Sequence, residues 1–179
     1  MYIERTVSGF ITNLGKYNEG ELVGEWVSFP IDDEEKEAML KRIGIGEEDD
    51  FGCVYEEYFF TDYENYGIDL YELFGEYPNI NSLNELGEKV EGLTDSEYKL
   101  LCGLLEEREI STLEDILEFN SDDYCFYKGM SKVAVAENEI DEIYPRLPNA
   151  IKECIDYERY AEYFMDDYTE TSFGTYFRY

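Results

Sequence analysis

Phe10-Ile11-Thr12-Asn13-Leu14 and Leu22-Val23-Gly24-Glu25-Trp26-Val27-Ser28-Phe29 stand on either side of Lys16-Tyr17-Asn18-Glu19-Gly20. Two β-rich runs separated by turn-forming residues predict an antiparallel β-hairpin at the start of the fold. Pro30, which lacks a backbone donor, stops the second strand. Asp32-Asp33 then offers an N-cap for a short helix over Glu34–Ile43, whose acidic first turn suits the helix dipole. Ala38, Met39 and Arg42 form its inner face, and Gly44 ends it. In the block 47–78, aromatic and acidic residues alternate in small groups, and part of it, around Val54–Glu64, is expected to supply a third strand with a solvated acidic face.

Farther along, the pattern turns helical. Ser82-x-x-Glu85 and Thr94-x-x-Glu97 match the capping box, and Ser111-x-x-Glu114 overlaps Thr112-x-x-Asp115 as a third start signal. Tyr98, Leu101, Cys102 and Leu105 make one apolar stripe; Leu113, Ile116 and Leu117 begin another. Tyr124–Tyr127 reads as a strand, while Lys132–Ala136 fits either strand or helix. Ala150–Phe164 reads as the clearest helix, with Ile151, Cys154, Ile155 and Ala161 on one side. Phe173–Tyr179 closes as a strand weakened by Gly174. The expectation is an α+β fold of three small consecutive modules: residues 1–78 around an antiparallel sheet, 79–120 a helical bundle, and 121–179 mixed strands and helices.

Composition narrows the function. The 179 residues hold 44 Asp and Glu against 14 Lys and Arg with no histidine, a formal net charge of −30. With 44% hydrophobic and 17% aromatic residues the chain is too apolar for a disordered acidic tail and can bury a core. Phosphates and anionic lipid repel such a chain, so neither nucleic acid nor membrane is an expected partner. No apolar run approaches a membrane span, and no N-terminal signal segment is evident. The four cysteines are widely spaced and read as small buried apolar residues of a reducing cytoplasm, with no disulfide or zinc site.

Catalysis lacks its usual parts. Without histidine there is no Ser-His-Asp triad, Cys-His dyad or imidazole ligand. Neither GxxxxGK[ST] nor GxGxxG occurs, so nucleotide phosphates have no cradle. Calcium loops beginning at Asp62 or Glu47 fail at their fifth and twelfth positions. The chain reads as a non-enzyme without cofactor or metal.

The charge is spread throughout. Residues 1–60, 61–120 and 121–179 carry nets of −10, −13 and −7, so every folded part bears the excess. This self-repulsion destabilises a compact state. Thirty charges correspond to about 50 Å of duplex, or about fifteen base pairs. A globule of this length has a radius of gyration of about 16 Å. Its linear charge density therefore rivals that of DNA, most closely if the monomer is somewhat elongated.

The opening segment carries a specific likeness. Ile11 through Trp26, continuing to Phe29-Pro30-Ile31-Asp32, resembles the signature of the ArdA antirestriction proteins, with Gly, Trp, Asn and Pro at fixed offsets. The similarity continues through Tyr58–Tyr71 and Ser82–Glu88, and returns at Leu147-Pro148-x-x-Ile151 and Ile155-Asp156-Tyr157-x-x-Tyr160. It implies an elongated, multi-domain, homodimeric DNA mimic of mobile genetic elements. Such a protein acts in the cytoplasm by filling the DNA-binding groove of Type I restriction–modification enzymes, at their methyltransferase core. One stretch departs: Ser121–Asp141 keeps Asp122, Asp123, Tyr124 and Tyr127 but sets Lys128 and Lys132 among them. Trp26 is assigned to the core and not to a contact surface.

The residues expected to substitute for phosphates are Asp32, Asp33, Glu34, Glu35, Glu47, Glu48, Asp49, Asp50, Glu56, Glu57, Asp62, Glu64, Asp69 and Glu72. Glu106, Glu107, Glu109, Glu114, Asp115, Glu118, Asp122 and Asp123 extend the track. Two other readings stand beside this one: a decoy for a different DNA-binding protein, and a carboxylate-based hydrolase or calcium-binding protein.

Overall fold

A computed structural model describes residues 5–179. In chain order it runs β1 (Val7–Asn13), α1 (Leu14–Asn18), β2 (Gly24–Phe29), α2 (Asp33–Arg42), β3 (Tyr58–Glu64), α3 (Leu70–Phe74) and α4 (Ile80–Gly92). There follow α5 (Asp95–Glu106), α6 (Leu113–Glu118), a 3-10 turn at Ser121–Asp123, β4 (Tyr124–Lys128) and α7 (Lys132–Ile143). The chain ends with α8 (Asn149–Lys152), α9 (Tyr157–Phe164), β5 (Thr169–Thr171) and β6 (Gly174–Arg178). The fold is α+β with two small antiparallel sheets, ordered β2-β1-β3 and β4-β6-β5. Two compact units result. The first extends to Leu93 and adds Ser111–Leu117; the second joins Thr94–Ile110 to Glu118–Tyr179.

In the first unit, Val7 and Ile11 of β1 and Val27 and Phe29 of β2 are buried on one sheet face. Helix α4 covers that face with Ile80, Leu83, Leu86 and Val90. Its approach is close because Gly87 has no side chain: a Cβ there would lie 2.7 Å from the Phe29 carbonyl. Asn84 clasps the chain just beyond β2, accepting from the Ile31 amide at 2.9 Å and donating to its carbonyl at 2.9 Å. Asp32 caps α2 by accepting from the Glu35 amide, and the chain leaves that helix through Gly44 at φ +80°.

β3 is not a regular strand. Phe10 pairs with Asp62 and Ile11 with Phe60, leaving Thr61 as an extra residue. A bulge of this kind reverses the side-chain alternation. Phe60 and Tyr63 therefore share the inner side, stacked with centroids 5.5 Å apart, while Asp62 and Glu64 face solvent.

In the second unit, α5 packs against β4 and β6. Tyr98, Leu101, Cys102 and Tyr176 are buried there. A further cluster of Val135, Ala136, Ala161 and Met165 joins α7 to α9. Thr94 forms the expected capping box with Glu97, the carboxylate accepting from the Thr94 amide at 2.7 Å.

Several local expectations are corrected. β1 and β2 pair antiparallel as expected, but Lys16–Gly20 is not simply a turn: Asn13 accepts from the Lys16 amide and starts a short helix in the connection. Arg42 is not on the inner face of α2; it lies outside, bonded to Glu25 and Glu35. Ser82 does not begin a helix, since Asn79 caps α4 three residues earlier. Lys132–Ala136 is helical, capped by Ser131. Ala150–Phe164 is broken into α8 and α9 where Asp156 accepts from the Arg159 amide, and Ile151 and Cys154 are exposed. The four cysteines are free thiols, but Cys102 alone is fully buried, while Cys53 and Cys154 are exposed. Trp26 is 49% exposed, because alternation with buried Val27 and Phe29 turns it outward.

Candidate functional site

The first unit carries 25 acidic and 6 basic residues and the second 19 and 8, for nets of −19 and −11. Even with every basic residue paired, thirty carboxylates would lack a cation. The question is how firmly the fold holds them.

Every expected phosphate substitute is exposed except Asp49, which is half-buried. In the first unit, Asp32, Asp33, Glu34 and Glu35 crowd the first turn of α2. The favourable dipole there offsets part of their mutual repulsion. Arg42 holds Glu35 at 2.7 Å and Glu25 at 2.7 Å, and those two carboxylates raise its pKa in turn. Glu47, Glu48, Asp50, Glu56 and Glu57 project from a hydrogen-bonded loop. In it Glu48 bridges Val54, the Tyr55 amide donates to the Glu47 carbonyl at 2.9 Å, and the Asp49 amide donates to the Cys53 carbonyl at 2.8 Å. The Asp49 carboxylate has turned inward to accept from the Phe51 amide at 2.8 Å and the Cys53 amide at 2.7 Å. Asp49 therefore builds the loop that displays its neighbours.

Asp62 and Glu64 project from β3. Asp69 caps α3 by accepting from the Glu72 amide at 2.9 Å. Glu114 and Asp115 lie on α6, where Asp115 takes bonds from the Thr112 hydroxyl at 2.7 Å and the Thr112 amide at 3.0 Å. Those bonds, the hydroxyl's first, lower its pKa. Its stabilising contribution is thus complete above the ordinary carboxylate range and is lost as pH falls through the lowered value.

In the second unit, Glu106 accepts from the Ser172 hydroxyl at 2.5 Å and the Ser172 amide at 3.1 Å. Glu109 accepts from the Tyr176 hydroxyl at 2.6 Å. Glu107, Glu118, Asp122 and Asp123 are exposed, the last two in the 3-10 turn. Lys128 is tied to Asp95 at 2.6 Å. The amide of Lys132 donates to Glu170 at 2.6 Å.

Sequence reasoning missed the tyrosine clasps. Tyr55 donates to Glu19 at 2.8 Å, Tyr71 to Glu76 at 3.0 Å, and Tyr168 to Glu139. The Tyr55 ring fits where Gly15 has no Cβ and lies under Lys16 at 4.9 Å. The Tyr55 and Tyr168 clasps restrict carboxylates by contacts 36 and 29 residues away in sequence, which no local spacing could have revealed, whereas the Tyr71 clasp spans only 5. Glu85, Glu88 and Glu91 were also missed; they are exposed along α4 at steps of about 4.5 Å.

These bonds favour neutral tyrosine. The bond to Glu19 pushes Tyr55 up to about 12, and burial does the same for Tyr127. Burial also raises Tyr63, Tyr168 and Tyr176. The stabilisation is complete below the ordinary value of about 10 and is lost as pH rises through the folded value. Absorbance titration of tyrosinate is expected to show Tyr55 and Tyr127 in a delayed wave near 12, accompanied by loss of structure. A single wave near pH ~10 with the fold intact would contradict these clasps.

An open groove of about 480 Å³ is lined by Ile155, Asp156, Arg159, Tyr160, Tyr163 and Phe164, without paired carboxylates. Among the described residues no group of three or more Cys, Asp or Glu is placed to hold a metal ion. Among them, too, no helix is long and apolar enough to cross a membrane.

A family model described as antirestriction protein (ArdA) matches residues 10–178. The chain belongs to the ArdA antirestriction family. No curated protein matches it. Membership implies an antirestriction function and makes restriction enzymes the partners the family name suggests.

Proposed function

We propose that this ArdA protein is a stoichiometric DNA mimic, not an enzyme, and that it occupies the duplex-binding groove of Type I restriction–modification enzymes at the methyltransferase core. The observation that carries this is the placement of its acids on bonded, structured elements in place of a mobile tail. A preorganised display avoids the ordering entropy that a flexible polyanion loses on binding. Asp62 and Glu64, two residues apart on a strand, lie about 6.8 Å apart along it. That is twice the axial rise of about 3.4 Å per phosphate on one DNA strand.

The protein would act in the cytoplasm as a homodimer. A chain of this charge must meet its own copy where acids are absent, and Ile143–Lys152 contains none. That run carries Arg146 and Lys152 beside exposed Ile143, Tyr144 and Ile151.

The test is a titration of methyl transfer by a Type I core. Inhibition should reach its end point at equivalence of inhibitor and DNA-binding sites, with the inhibitor recovered unchanged. Inhibition by a small fraction of an equivalent would indicate turnover and contradict the reading. Stoichiometric capture of another DNA-binding protein, with no effect on the Type I core, would favour a different decoy target.

A further inference from the structure

The outward face of the first sheet is not acidic throughout. Across its three strands the register places Trp26 opposite Phe10 and Phe10 opposite Asp62, with Ser28, Ser8 and Glu64 forming the next row. Trp26 and Phe10 meet edge to face with centroids 5.7 Å apart, and Trp26 remains 49% exposed. Ser8 and Ser28 bond across the strands at 3.0 Å. A rigid indole in the same row as the outward Asp62, with Glu64 in the row beside it, is poorly explained as a phosphate substitute, since the ring carries no formal charge.

We propose that this face is a receptor for an arginine side chain from the basic groove of the restriction enzyme. This rests on the DNA-mimic reading and adds an uncharged anchor to it. A guanidinium stacks on an indole face, and its fork donates to carboxylates. Trp26 supplies the stacking surface, while Asp62 and Glu64 supply the field and the acceptors. Charge complementarity selects the occupant: an acidic partner, including another copy of this chain, would set carboxylates against Asp62 and Glu64. Trp and Arg are both enriched among the few residues that carry most of the binding energy at protein interfaces.

Wild-type protein labelled with 5-fluorotryptophan provides a test without mutation, because the chain has 1 tryptophan. Its fluorine resonance is expected to shift on titration with the Type I methyltransferase core. A resonance unmoved in a saturated complex would overturn the proposal. A shift following the protein's own concentration and not the enzyme's would also overturn it, assigning the face to a second copy.

Affinity measured at several salt concentrations separates this inference from the mimic reading. Trp26→Ala is expected to weaken binding about thirtyfold while leaving the slope against salt unchanged, and Trp26→Phe should recover most of the loss. Reversal of an acidic block should reduce the slope itself. Trp26→Ala with unaltered affinity, beside a block reversal that abolishes binding, would sink the anchor and leave the mimic standing. If neither variant has an effect, both readings fail.

Discussion

Reversing Glu47, Glu48, Asp50, Glu56 and Glu57 together to lysine is expected to abolish inhibition of the Type I enzyme while the protein remains folded. The five carboxylates are exposed on one hydrogen-bonded loop. Asp49 is left in place because its carboxylate accepts from the Phe51 and Cys53 amides and holds that loop. The change moves the formal net charge from −30 toward neutrality, so it relieves self-repulsion and should not unfold the chain. About six to ten phosphate contacts make an affinity change by about 10³ to 10⁵ between roughly 50 and 200 mM salt, which sets the scale of the ionic term that five reversals would remove. A loss of at least about a thousandfold is therefore expected, while any one reversal should have a modest effect because no single acid dominates. Inhibition assays with circular dichroism on the same samples check this, and a folded variant that still inhibits fully would contradict the acidic surface as the site.

Phe60→Ala should produce the largest loss of stability among single substitutions of the first sheet. Its ring is fully buried, stacks on Tyr63 and leans on Phe29 at 6.2 Å. It also fills space left by Gly9, where a Cβ would stand 2.7 Å from it. Truncating such a side chain costs about 3–5 kcal/mol through lost burial and the cavity left behind. Phe51→Ala is the control: that ring is 91% exposed, and its removal should change stability by no more than about 0.5 kcal/mol. Denaturant titration of both variants measures the contrast. Equal stabilities would mean that the bulged strand is not packed as described.

Elements with strong local chemistry were legible in the sequence. The alternation through Val27 and Phe29 gave β2, Asp32 gave the start of α2, and Thr94-x-x-Glu97 gave the start of α5. Competing caps defeated the reading elsewhere. Asn79 supplanted Ser82, Asn13 started a short helix in the hairpin connection, and Asp156 split one long helix into two. Trp26 was misplaced because hydrophobicity suggested the core, whereas the period of two put it on the opposite face from Val27.

The candidate site was legible as composition and not as geometry. With 44 acids in the chain, exposure of the chosen carboxylates follows almost automatically. What could not be read was which are spent on structure, as Asp49 and Asp115 are, and which are fixed by a distant tyrosine, as Glu19 and Glu109 are. Those distinctions depend on contacts across the fold. The β3 bulge is another such case: a single unpaired residue, Thr61, decides that Asp62 and Glu64 face outward.

The most direct test of the central claim is displacement of labelled duplex from a Type I methyltransferase core at two salt concentrations. DNA mimicry predicts stoichiometric release of the duplex by this protein, with an apparent affinity that falls as salt rises. A ternary complex that retains the duplex would contradict it, as would failure of the folded protein to displace DNA at either salt concentration.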